Sequence, residues 1–202
     1  MQRLFIGVPL PEDLLGFAQS AQAMLTPVQG LRLLRPDQLH VTLAFIGEVD
    51  EVKAKAACKV VDSLPGDMGG EGRITRFLML PSAAKARVVS LEIDDGEGVF
   101  AGLFAKVMGG LEAAGVMKRE KRPFRPHLTV ARLKHPGVVQ PRFESGEARF
   151  AVESVCLYES ELRREGAVYA VIARAKFETK DGAKAQSSFQ NDVSPAGCDR
   201  RE

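Results

Sequence analysis

Residues 35–44 read Arg-Pro-Asp-Gln-Leu-His-Val-Thr-Leu-Ala, and residues 122–131 read Arg-Pro-Phe-Arg-Pro-His-Leu-Thr-Val-Ala. Both obey R-P-x-x-x-H-x-T-x-A, and together they use two of the chain's three histidines, His40 and His127. Each His-x-Thr offers an imidazole that titrates near neutrality and a hydroxyl that donates a hydrogen bond. Two copies supply a base for an attacking water, an acid for a leaving oxygen, and donors for the charged oxygens between them. Such a set suits proton transfer around an anionic centre such as a phosphodiester. A lone His-x-Thr says little; an internal repeat with shared flanking residues says much more.

Strand alternation makes the repeat chemically informative. Leu39, Val41, Leu43 and Phe45 alternate with His40, Thr42, Ala44 and Ile46. Successive strand residues face opposite sides, so each histidine shares a face with its threonine, as His127 does with Thr129. If the two strands line opposite walls of one groove, both imidazoles and both hydroxyls converge on it. No Asp/Glu cluster or His-x-x-x-His accompanies them, so no metal and no cofactor is expected. His135 precedes Pro136-Gly137 and is expected in a loop away from this chemistry. Lys118 to Arg125 places five positive charges just before His127, a cluster expected to draw in an anionic substrate.

The elements that must hold these residues read clearly. Leu4–Val8 is a buried strand closed by Pro9, and Pro11-Glu12-Asp13 opens a helix with an apolar stripe running to Leu25. Strands are expected over 31–34 and 39–46, and a helix capped by Asp50 stops near Pro65-Gly66. Strands over 73–80 and 87–93 precede a helix over 98–114, then a strand over 127–133. Residues 148–160 and 166–177 read as one long hairpin around Leu162–Glu165. Short connections and hairpins predict an α+β fold of two similar lobes, with antiparallel sheets lining a central groove and helices packed outside. Residues 1–177 are expected to form one bilobal domain, and the polar stretch 178–202 a disordered tail.

Composition bounds the class. With 45% apolar and 27% charged residues and a net charge of +2, the 202-residue chain reads as an ordinary globular protein. Cys58, Cys156 and Cys198 lack metal-ligand spacing and are expected to be reduced thiols. No apolar run is long enough for a signal peptide or a membrane span, so a cytoplasmic monomer is expected, with no membrane and no obligate protein partner.

These residues resemble a known family, the 2H phosphoesterases, named for paired His-x-Thr motifs. Within them the chain is similar to the bacterial and archaeal RNA 2′,3′-cyclic phosphodiesterases, also called 2′-5′ RNA ligases. The resemblance covers most of residues 1–177. It rests on Arg3–Gly7, Leu39–Val49, Pro126–Arg132, and Leu157–Ser160 with the hairpin partner Tyr169. It implies His40 as proton donor, His127 as proton acceptor, and Thr42 and Thr129 as phosphate ligands.

It also implies a functional arginine five residues past the second histidine, at Arg132. Alternation puts Arg132 on the face opposite His127, so that role requires a twist or bulge. Phe45 holds the equivalent place after His40 and offers a stacking surface for a terminal base. Its alternation with Val41 and Leu43 instead predicts a core position.

Arg125 and Arg132 near His127 are expected to lower its pKa and favour the neutral form that a base needs, in line with that division of roles. The implied activity opens a 2′,3′-cyclic phosphate at an RNA 3′ end, leaving a 2′-phosphate. Alternatives are reversible 2′-5′ ligation, action on another small cyclic phosphate or nucleotide, and, from a different class, a non-catalytic RNA-end-binding module.

Overall fold

The two halves of the repeat meet in the middle of one continuous antiparallel sheet. The structure is a computed structural model and describes residues 1–120, 122–141, 146–163, 166–178 and 187–188. The chain runs β1 (Gln2–Pro9), α1 (Leu15–Ala23), β2 (Leu31–Leu33), β3 (His40–Val49), α2 (Glu51–Asp62), β4 (Gly70–Leu80) and β5 (Ala86–Asp94). It continues with α3 (Val99–Ala113), β6 (His127–Gly137), β7 (Glu147–Val152), β8 (Ser154–Arg163), β9 (Gly166–Lys176) and β10 (Ser187–Ser188). The strand order is β10-β7-β4-β5-β6-β3-β1-β8-β9, with β2 pairing β6 beside β3.

One half of the sheet is β3, β1, β8 and β9, and the other is β6, β5, β4 and β7, as the repeat implied. They join where Val41 faces Leu128, both buried, in the single register pair between β3 and β6. Carried one residue each way, this antiparallel register sets His40 level with Thr129 and Thr42 level with His127. The seam therefore runs between the two motifs and relates them by a local two-fold.

The helices form where their caps dictate. The Asp50 carboxylate accepts a hydrogen bond from the Lys53 N–H at 2.9 Å, satisfying an N–H that the first turn of α2 leaves unpaired. Asp95 does the same for α3, accepting from the N–H groups of Phe100 and Ala101 at 2.9 and 2.7 Å. α3 buries Phe100, Leu103, Val107, Met108 and Leu111 in the principal core. α1 buries Phe17, Ala18 and Ala21, and with them the amide of Gln22.

Two readings need correction. Residues 148–160 are two strands broken at Glu153: β7 pairs β4, whereas β8 pairs β1. The apolar run hides the break because residues on both sides of it are buried. His135 lies on the end of β6 rather than in a loop, because the β5 ladder skips from Arg132 to Gly137 and accommodates Pro136 in the gap. Of the chain beyond Glu178, only Ser187–Ser188 is described, paired with β7; the remainder of the expected tail lies outside the described residues. Cys58 and Cys156 are free thiols, and Cys198 also lies outside the described residues.

Candidate active site

Each histidine is held by the same local contact. His40 Nδ1 lies 2.9 Å from the Gln38 carbonyl oxygen, and His127 Nδ1 lies 2.7 Å from that of Arg125, each two residues upstream. A carbonyl oxygen only accepts, so Nδ1 carries the proton and donates in both rings. Nε2 is left in each as the nitrogen free to take or give a proton.

Their surroundings differ. His40 stacks on Phe5 with ring centroids 4.6 Å apart, and Phe5 stacks on Tyr158 at 4.8 Å. Tyr169 closes the assembly edge-on, 5.4 Å from His40. Gly7 leaves room beneath: a Cβ there would come within 2.8 Å of the Val41 carbonyl oxygen and 3.3 Å of His40 Cδ2. Burial among these groups pulls the His40 pKa from 6.5 down to about 4. The Gln38 carbonyl bond works against that shift, while the charges of Arg132 and His127 add to it.

The residue five positions past each motif histidine, Phe45 or Arg132, reaches the groove through a bulge. In β3, Thr42 faces Gly7 and Ala44 faces Ile6, so Leu43 is extra. In β6, Thr129 faces Ser90 and Ala131 faces Val89, so Val130 is extra. The insertion falls at the same place in both copies, and it reverses the alternation beyond it. Leu43 and Val130 are buried, as are the alanines after them.

Arg132 is thereby turned to the same groove as His40, which meets the condition its role required. Phe45 is turned out of the core: it is 52% exposed and lines the groove, against the expectation from simple alternation. The Arg3 guanidinium sits 5.1 Å from the centre of its ring.

The β6 bulge is anchored from outside the sheet. The Val130 carbonyl accepts from the Leu34 N–H at 2.9 Å and from the Gln22 side-chain amide at 2.9 Å. The same amide donates to the Leu34 carbonyl at 2.7 Å. Gln22 was hidden from sequence reading because it lies on the stripe read as apolar.

The groove is about 720 Å³ and is lined by His40, Thr42, Phe45 and Arg132 among others. His127 and Thr129 lie across the seam, His127 near enough for its charge to bear on His40. The Thr129 hydroxyl is 3.4 Å from that of the buried Ser90. Arg3, Arg32 and Lys134 add positive charge to the groove wall, Arg163 there is paired with Glu161 at 2.7 Å, and no carboxylate is among the described lining residues.

None of the basic stretch before His127 is among the described lining residues of the groove, and two of its cations are paired. Arg125 hydrogen-bonds Glu92 at 2.8 Å and Arg122 binds Glu120 at 2.9 Å, while Lys121 lies outside the described residues. Arg132 bears on His40, and Arg125 is held by the Glu92 carboxylate. Sequence reading also assigned no site role to Arg3, Phe5, Arg32, Lys134 or Tyr169. Only strand parity in Arg3–Phe5–Gly7 signals any of them locally.

Among the described residues, no group of three His, Cys, Asp or Glu side chains is placed to hold a metal ion. Nor is any helix among them long and apolar enough to cross a membrane.

A mixed sheet-and-helix fold whose seam carries paired histidines beside a cationic groove defines a phosphoesterase of the 2H type. Residues 8–89 and 100–169 match the LigT-like phosphoesterase family, and the chain belongs to it. It is 30% identical over 198 residues to an RNA 2′,3′-cyclic phosphodiesterase of Thermus thermophilus, covering 89% of this chain and 92% of that protein. It is 28% identical over 173 residues to the protein of that name from Escherichia coli, covering 86% and 95%. Among solved structures, the T. thermophilus protein TT0787 superposes with a TM-score of 0.73 at 27% identity, covering 87% of this chain and 97% of that one. E. coli LigT complexed with 3′-AMP superposes with a TM-score of 0.71 at 26% identity, covering 88% and 99%.

Proposed function

We propose that this protein is an RNA 2′,3′-cyclic phosphodiesterase that opens a terminal cyclic phosphate to a 2′-phosphate. A water attacks phosphorus as one histidine removes its proton. The P–O3′ bond breaks, the other histidine protonates O3′, and the P–O2′ bond is kept. The observation that carries this reading is the matched pair of Nδ1 tethers, which leaves an Nε2 available on either side of the seam. Thr42 and Thr129 donate to the non-bridging oxygens, Arg132 offsets their charge, and Phe45 stacks on the terminal base. The 3′-AMP bound to E. coli LigT supports a nucleotide ligand for this groove.

His40 acts as acid and His127 as base. Half-buried and held neutral in the free protein, His40 takes up its proton when the phosphodiester anion enters, because a nearby negative charge favours imidazolium. The low pKa of His40 supports a second division of roles, in which His40 is the base. A cyclic-phosphate substrate with a highly activated 3′-oxygen leaving group separates the two. It is expected to rescue His40→Ala but not His127→Ala; the opposite pattern reverses the roles.

The donor set holds no metal cluster among the described residues, so turnover should persist in EDTA. RNA ending in a 2′,3′-cyclic phosphate, incubated with the protein in EDTA, should yield a 2′-phosphate detectable by mass and by ³¹P resonance. A 3′-phosphate or a 2′-5′-joined product would replace the proposed reaction. Binding without turnover would make the protein an RNA-end-binding module, and activity that requires an added divalent ion would end the two-histidine account.

A further inference from the structure

The groove holds more positive charge than one cyclic phosphate needs. A nucleoside 2′,3′-cyclic phosphate carries a single negative charge, which Arg132 and the motif donors already address. Arg32 is the cross-strand partner of Arg132, and Lys134 follows two residues along β6. Two residues of strand span about 6.7 Å, so Lys134 points the same way as Arg132 but farther from the seam. The register is kept there by the Lys134 N–H, which donates to the Gly30 carbonyl at 2.9 Å.

All three cations line the groove, and none has a carboxylate within ion-pair distance among the described residues. The Arg32 guanidinium is seated over Gly166, where any Cβ would collide with it, so it lies across the groove against the β8–β9 hairpin.

We infer that Arg32 and Lys134 form a phosphate track for the nucleotides preceding the terminal one, making an oligonucleotide end rather than a cyclic mononucleotide the preferred substrate. Each nucleotide added on the 5′ side brings one phosphodiester charge, and two cations with no carboxylate partner among the described residues match that series. The inference rests on the activity proposed above.

The test compares uridine 2′,3′-cyclic phosphate with an RNA trinucleotide ending in the same group, using wild type, Arg32→Gln and Lys134→Gln. Each substitution is expected to lower kcat/KM for the trinucleotide about 10-fold, mainly through KM. The mononucleotide rate should stay within about twofold. Each should also reduce the salt dependence of trinucleotide use, by about 0.7 in the log–log slope. Equal losses on both substrates, or no loss on the trinucleotide, overturn the track.

Fluorescence anisotropy with a trinucleotide ending in a 3′-phosphate reads the same contacts without turnover. Weaker binding by both variants, with neither cyclic substrate hydrolysed by wild type, upholds the track and removes the proposed activity. Unchanged binding by both variants removes the track.

Discussion

At the scale of single residues, two imidazoles with the same tether sit against different walls. If His40 and His127 act as proposed, replacing either with alanine should lower kcat by about 10²–10⁴-fold. Thr42→Val and Thr129→Val, which each take one donor from the phosphate, should cost roughly 10- to 150-fold. Steady-state kinetics with circular dichroism to verify folding checks both; near-normal turnover in any variant excludes that residue from the chemistry.

The aromatic wall has a measurable consequence for acid stability. The His40 pKa is about 4 in the folded protein against 6.5 for an unperturbed histidine, so below 6.5 the unfolded chain binds a proton that the folded one refuses. This group's contribution is fully present above pH 6.5, declines as pH falls from 6.5 towards 4, and is flat below that. The slope approaches about 1.4 kcal/mol per pH unit within the window. Urea unfolding at pH 7 and pH 5 should show the loss in wild type and a smaller one in His40→Gln. In Phe5→Leu the His40 pKa, followed by its ring resonances, should move up; no movement would mean that stacking plays no part.

At the scale of elements, the paired bulges decide what the groove contains. Val130 is an extra residue whose carbonyl leaves the ladder, and Gln22 of α1 supplies one of the two donors that satisfy it. Gln22→Met preserves much of the volume but leaves a buried acceptor short, at a cost of about 1–3 kcal/mol. Turnover should fall as well, since Arg132 is aimed by that bulge. Unchanged kcat/KM with reduced stability would show that the bulge holds its shape unaided.

The bulges also mark where sequence reasoning stopped. His40 and Thr42, and His127 and Thr129, precede the insertions, so simple alternation placed them correctly. Phe45 and Arg132 follow them, and one unseen residue of backbone reversed their faces. Nothing in Leu43-Ala44 or Val130-Ala131 signals an extra residue, because both positions are buried either way.

At the scale of the whole molecule, local pattern carried the helices, most strands and the antiparallel character, all set by residues close in sequence. The order of strands and the cations of the groove depend on pairing across long separations. Arg32 meets Arg132 only because β2 lies along β6, and Arg125 is neutralised by Glu92 from another strand. The principal core runs through both halves of the sheet, which argues for one cooperative unit. The chain has no tryptophan, and both tyrosines, Tyr158 and Tyr169, sit in the β8–β9 hairpin of one half. Tyrosine fluorescence thus reports one half while far-ultraviolet circular dichroism reports both. Their urea transitions should coincide; separated midpoints would show two independently unfolding lobes.

The local two-fold through Val41 and Leu128 has a directional consequence. A cradle with true two-fold symmetry presents the same face to a strand laid in either sense, and so cannot distinguish its 5′ and 3′ ends. Here the motifs agree at histidine, threonine and alanine and diverge one position later, with an aromatic ring in one copy and a guanidinium in the other. If the groove takes the RNA end proposed above, the polarity of that strand would be read by a pair of residues that equivalent bulges bring to equivalent places, Phe45 and Arg132.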